Sequence, residues 1–134
     1  MCCKGNEEST REFLSSIKPG VKYISGWKVL TPSGKTTARY YQYSPGTHTA
    51  GVNVEFYPEI CSGIHFYLYP FPKSGPFHVV RIRVRPKDIV LVAHRTAPYW
   101  RGTPKDQAVA TRIQIETREW KRAGLPMPQS GPKV

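Results

Sequence analysis

Cysteine is scarce in this chain of 134 residues: there are three, two of them at positions 2 and 3 and the third alone at 61. That number cannot build a disulfide framework, so a reducing compartment is the default. Long apolar runs are missing too. No stretch approaches the ~20 residues that a membrane-spanning helix needs, and no signal peptide is visible. There is no phosphate-cradling glycine loop of the Walker or dinucleotide type. Acidic residues are few: nine Asp and Glu stand against twenty Lys and Arg, a formal charge of +11. That balance favours a polyanionic partner, whether nucleic acid, an anionic membrane or an acidic protein surface, or else serves only as a solubilising surface.

What is present is a globular composition, 39% hydrophobic and 12% aromatic. The length fits one domain able to bury its own core. Eleven Gly and thirteen Pro imply many turns and argue against a helical bundle. The expected fold is α+β, mainly antiparallel β: a small sandwich or curved sheet with one or two short helices. The expected organisation is an N-terminal segment with a short helix (1–20), one β-rich domain (21–120) and a basic Pro/Gly tail (121–134).

The strongest period-2 patterns lie between residues 61 and 92. In 78–85, Val80, Ile82 and Val84 alternate with Arg81, Arg83 and Arg85. The spacing predicts a strand with an apolar inner face and a row of guanidinium groups outside, ~6–7 Å between neighbours. Such a row either meets carboxylates or phosphates or is a solvated face that discourages edge pairing. Residues 63–69 predict another strand, Ile64, Phe66 and Leu68 on one face and His65, Tyr67 and Tyr69 on the other, both faces covered. Residues 89–93 are continuously apolar and read as a buried strand.

The remaining segments follow from turn and capping residues. Residues 9–17 read as a short helix with Ser9 as N-cap and Glu12 completing a capping box, ended by Pro19-Gly20 and packed on a sheet edge. Residues 23–30 and 36–43 read as a hairpin around Pro32-Ser33-Gly34. Residues 44–58 read as a loop. Residues 94–104 read as a loop in which Trp100 and Arg101 make an interface anchor or plug the core. Residues 108–116 predict one last strand with Ile113 and Ile115 inward and Arg112 and Gln114 outward. Residues 117–123 read as a helical turn or a strand extension, and 125–134 as a tail.

Candidate sites follow from these placements. Arg81, Arg83, Arg85, Lys87 and Arg112, with Trp100 and Arg101, are the partner- or polyanion-binding candidates. Cys61, His65 and Tyr67 are the candidates for a ligand pocket. Cys2 and Cys3 beside Lys4 are candidates for palmitoylation. A zinc site needs about four Cys or His ligands in reach. Cys61 and His65, four apart on a strand, lie too far from each other, so no metal and no cofactor is expected. A lone Cys61 without a local signature is a packed small hydrophobe rather than a nucleophile.

Two resemblances bear on origin and role. Glu59-Ile60-Cys61-Ser62-Gly63-Ile64-His65-Phe66-Tyr67 resembles the Glu-Cys-x-x-Gly-Ile-His-Phe-Phe signature of an uncharacterised domain of large DNA viruses, also found beside pentapeptide repeats. Gly26-Trp27-Lys28-Val29, residues 79–89 and residues 110–116 are similar to further segments of that domain, though the later elements differ in order. The family has no established activity, and the resemblance implies a viral origin only. Ser62–Phe66 followed by 79–84 is also similar to the central strands of ADP-ribosyltransferases, which implies a late glutamate, Glu116 or Glu119. The leading expectation is a non-enzymatic viral structural or interaction protein, a minor capsid-associated component docking on other virion proteins or the inner membrane. The alternatives are a nucleic-acid-binding accessory protein, and an anti-defence enzyme or nucleotide-binding protein with a concave pocket beside His65. Its expected location is the virion or the infected-cell cytoplasm.

Overall fold

Alternation of β-branched residues with arginine in Arg81-Ile82-Arg83-Val84 does produce a strand, and the rest of the fold pairs outward from it. A computed structural model describes residues 3–4, 7–36, 41–51, 59–60, 62–70, 75–94 and 106–127. The elements in chain order are β1 (Cys3–Lys4), α1 (Glu7–Ser15), β2 (Ile24–Leu30), β3 (Gly46–Thr49), β4 (Glu59–Ile60), β5 (Ile64–Tyr67), β6 (His78–Val84), a 3-10 turn (Pro86–Asp88), β7 (Ile89–His94), β8 (Asp106–Ala110), β9 (Arg112–Ile115) and α2 (Thr117–Arg122). Seven strands form one antiparallel sheet in the order β3-β9-β6-β2-β5-β8-β7. β1 and β4 form a separate two-stranded ribbon that lies against β7 and β8. The class is α+β with mostly β, as expected, and the hydrogen-bonded sheet is open.

The sheet is also strongly coiled. β8 and β9 sit four strand spacings apart in the pairing order, yet a single residue, Thr111, joins them. Laid flat, four spacings cover at least ~19 Å. The Cα atoms of Ala110 and Arg112 can be no more than about 7 Å apart. The two ends of the path β8-β5-β2-β6-β9 therefore curl back toward each other. Thr111 marks the corner: its backbone N–H donates to the Asp88 carbonyl at 2.9 Å, and its own carbonyl accepts from Ala50 N–H at 2.9 Å.

Inside the coil lies the core. Leu30, Ile64, Phe66, Val80, Ile82, Val84, Val92, Ala108, Ala110, Ile113 and Ile115 all face it. Register explains the set: Gly26, Lys28 and Leu30 of β2 stand opposite Ile82, Val80 and His78 of β6. Close approach needs Gly26, since an added Cβ would fall 2.5 Å from the Phe66 ring. β7 and β8 are buried on both faces, with Leu91, Ala93 and Val109 forming a second cluster on the outer side. α2 seals the core with Trp120, whose indole N–H donates to the Pro126 carbonyl at 2.9 Å. Gly34, at φ +86°, leaves room for that ring. Leu125 is buried beside it, so the chain packs with the body at least that far.

Several sequence expectations change here. The 23–30 segment is a strand; of its expected hairpin partner 36–43, residues 37–40 lie outside the described residues. Its partners are β6 and β5, and of the described residues in the turn only Lys35 and Gln42 form a bridge. β6 pairs with β2 over seven residues, setting Val84, Ile82 and Val80 beside Ile24, Gly26 and Lys28. β3 arises within the expected loop: Gly-Thr-His-Thr carries little apolar signal because it is an exposed edge strand. The expected single strand over 108–116 is two, divided at the Thr111 corner. α1 does pack on a sheet edge, but it begins two residues before Ser9, which is no cap. The Ser9 hydroxyl instead donates to the Val92 carbonyl at 2.6 Å, and Thr10 Oγ1 accepts from Val92 N–H at 3.0 Å. These hydroxyls satisfy the backbone of edge strand β7 and shield it from further pairing.

Candidate functional site

β-Sheet pairing puts directly opposed residues on the same side, so register defines the outer face. Trp27 of β2 stands opposite Arg81 of β6 on one side and Tyr67 of β5 on the other. Ser25 stands opposite Arg83, and Arg83 opposite Gln114 of β9. Arg112 lies farther along β9 opposite Thr49. Arginines of β9 and β6 therefore adjoin aromatic rings of β2 and β5 across one face.

The arginines expected in a row are on this face, and each has a partner. Arg81 Nε donates to Ser25 Oγ at 2.9 Å. The Arg83 guanidinium lies over the Tyr23 ring, 4.1 Å from its centre. Arg85 Nε donates to Asp88 at 2.8 Å, and this bond raises the arginine's already high pKa. Tyr23, Arg83, Arg85 and Arg112 border a small surface cleft of about 60 Å³. Lys87 is exposed on the 3-10 turn, and Arg81 and Arg112 are exposed on their strands. Cys3 lies in β1. Cys2, Cys61, Trp100 and Arg101 lie outside the described residues.

Around Lys28, β2 and β5 border a cavity of about 370 Å³. His65 and Tyr67, two of the expected pocket residues, line it, together with Lys28, Tyr41, Tyr43, His48, Phe66 and Gln107. The sequence reading passed over Lys28, which is only 7% exposed. Its Nζ donates to the His65 carbonyl at 2.6 Å and sits 4.9 Å from the centre of the Tyr43 ring. Burial lowers its pKa from 10.5 to about 8, because an apolar surrounding disfavours the charged form. Burial, reinforced by Tyr41, pushes the Tyr43 hydroxyl in the opposite direction, well above its usual value. The signal for Lys28 was in the sequence: a lysine two residues from Leu30 on the face of a strand that also carries Gly26.

His48 is locked by its two nitrogens. Nε2 lies 2.7 Å from the Ser44 carbonyl oxygen, which only accepts, so Nε2 carries a proton. In the neutral ring Nδ1 then accepts from the Tyr41 hydroxyl at 3.3 Å. Tyr41, Tyr43 and His48 pack edge to face, their ring centres 4.7 to 6.0 Å apart. Among the described residues, no Asp or Glu lines the cavity and no group of three His, Cys, Asp or Glu is placed to hold a metal. The late glutamates that the ADP-ribosyltransferase likeness implies are elsewhere: Glu119 is buried on α2 with Arg122 at 3.2 Å, and Glu116 pairs with Arg118 at 3.4 Å. Among the described residues no helix is long and apolar enough to cross a membrane.

No family model, curated protein or solved structure matches this chain.

Proposed function

We propose that the protein is a binding module, not an enzyme, whose outer sheet face takes up a polyanion, with single-stranded nucleic acid as the ligand. The observation that carries this reading is the register of Trp27 between Arg81 and Tyr67. Nonspecific single-strand binders combine exactly these two ingredients, cations that follow phosphates and rings on which bases stack. The formal charge of +11 supplies long-range attraction. Arg81 and Arg83 are already held by Ser25 and Tyr23, so less side-chain freedom is lost when a phosphate arrives.

Fluorescence anisotropy with labelled oligothymidylate tests the reading. Three or four phosphate contacts imply a twenty- to fiftyfold loss of affinity, roughly, between about 50 and 200 mM salt. Trp27→Ala is expected to weaken binding by about 1–3 kcal/mol, the usual worth of one stacked base. Affinity indifferent to both salt and Trp27 would exclude this face as the site.

A second reading rests on the same arginines. Guanidinium groups fixed in one pattern suit bidentate contacts with carboxylates, and so suit an acidic protein surface. The viral origin implied by the resemblance turns this into a capsid-associated component, with Cys2 and Cys3 as lipid attachment points for the inner membrane. Quantitative mass spectrometry of purified particles against infected-cell lysate separates the two. A fixed high copy number in stripped particles favours the structural role, and absence from particles removes it.

A further inference from the structure

Lys28 poses a problem that the outer face does not solve. An ammonium carries three donors and a full charge. Here one donor goes to the His65 carbonyl, and the Tyr43 ring faces the charge from another side. Both are neutral groups. The cavity brings this ammonium no carboxylate from the described residues that line it. A buried charge without a counter-charge is costly, and such groups are ordinarily paired or bound to something. With its pKa at about 8, Lys28 is still mostly charged at neutral pH.

The remaining walls specify what would complete the site. Tyr41, Tyr43, His48 and Phe66 present rings, three of them in one edge-to-face cluster. His48 is held between the Ser44 carbonyl and the Tyr41 hydroxyl, both its ring nitrogens in use. One buried cation balances one negative charge, and a second charge on the ligand would sit unpaired among aromatic rings. A volume of about 370 Å³ lies toward the small end of the ~300–1,000 Å³ usual for ligand pockets.

We infer that this cavity is a binding site for a small aromatic monocarboxylate, its carboxylate paired with the Lys28 ammonium and its ring held in the cluster of Tyr41, Tyr43 and Phe66. Tyr67 borders both this site and the nucleic-acid face, but Lys28, Tyr41, Tyr43 and Phe66 carry the inference and none of them is assigned to that face, so the two stand or fall separately.

Calorimetric titration of the full chain with benzoate, phenyl phosphate, cyclohexanecarboxylate and benzyl alcohol tests the inference. Benzoate is expected to bind saturably and in preference to the other three. Lys28→Met, of similar length and fully apolar, is expected to keep a cooperative thermal transition and to weaken benzoate by roughly thirtyfold or more, the loss typical when one partner of a buried charge pair is removed. Three outcomes would overturn the inference. Equal affinity for cyclohexanecarboxylate removes the aromatic requirement. Tighter binding of phenyl phosphate removes the single charge. No benzoate binding, or benzoate binding that Lys28→Met leaves unchanged, removes Lys28 as its partner.

Discussion

The two faces of β2 treat positive charge in opposite ways. Outward, the strand stands beside Arg81 and Arg83, partly or fully exposed and each held by a neighbour. Inward, it carries one lysine, almost fully buried, whose contacts are a backbone carbonyl and an aromatic ring. Water screens the outer charges, so their mutual repulsion costs little. The inner charge lies where the effective dielectric is low, and desolvation dominates. One strand thus separates a surface on which charge attracts partners from afar and a cavity in which a single charge selects by complementarity.

The largest expected contrast is between adjacent residues of β6. Ile82→Ala, at a fully buried inward position, is expected to cost about 2–5 kcal/mol, from lost burial and the cavity left behind. Arg81→Ala, one residue away and exposed, is expected to stay within ~0.5 kcal/mol. Urea denaturation of the two variants measures both. Similar losses would mean that the inner and outer faces are wrongly divided.

Next comes the titration of Lys28. Its pKa is about 8 when folded and 10.5 at the ordinary value. Between those pH values the unfolded chain binds a proton that the folded chain does not, so this group's contribution makes stability rise with pH. Below pH 8 the burial penalty is fully present, at about 3 kcal/mol. Lys28→Met removes that penalty and leaves the His65 carbonyl without its donor, a loss of roughly 1 kcal/mol. The variant is expected to gain about 2 kcal/mol at pH 7. Its advantage should fade between pH 8 and 10.5 as the wild-type lysine loses its proton. Unfolding free energies of the two proteins across that range provide the check, and a variant less stable at pH 7 would contradict the account of the buried charge.

The smallest effect is expected at the outer pair of Arg85 and Asp88. Asp88→Asn removes the ion pair but keeps the backbone carbonyl that anchors Thr111. Because the pair is only partly buried, the loss on urea denaturation should stay below about 1 kcal/mol. A larger loss would show that the side chain, and not only the carbonyl, holds the corner between β8 and β9.

Much of the sheet could be read from local pattern. Alternation in 78–85 and 64–69 sorted inward from outward residues correctly, because a side-chain period of two survives whichever strands pair. Ile113 and Ile115 were likewise assigned inward and Arg112 and Gln114 outward. The candidate site was less legible. His65 and Tyr67 were singled out and do line the cavity, but Lys28, Tyr41, Tyr43 and His48 were not joined to them. Tyr43 and Lys28 are fifteen positions apart, and His65 lies a further seventeen beyond His48. No local pattern connects such residues.

The sequence alone determined the class, the strand faces and the excess of positive charge, since each follows from residue type and short-range periodicity. Only the tertiary structure decided which strands pair, that 108–116 breaks at Thr111, and which groups surround the Lys28 ammonium. Pairing depends on which distant strand offers a matching apolar face. The corner at Thr111 depends on the coiling of the whole sheet. The state of Lys28 depends on what surrounds its ammonium, and those neighbours come from three separate parts of the chain.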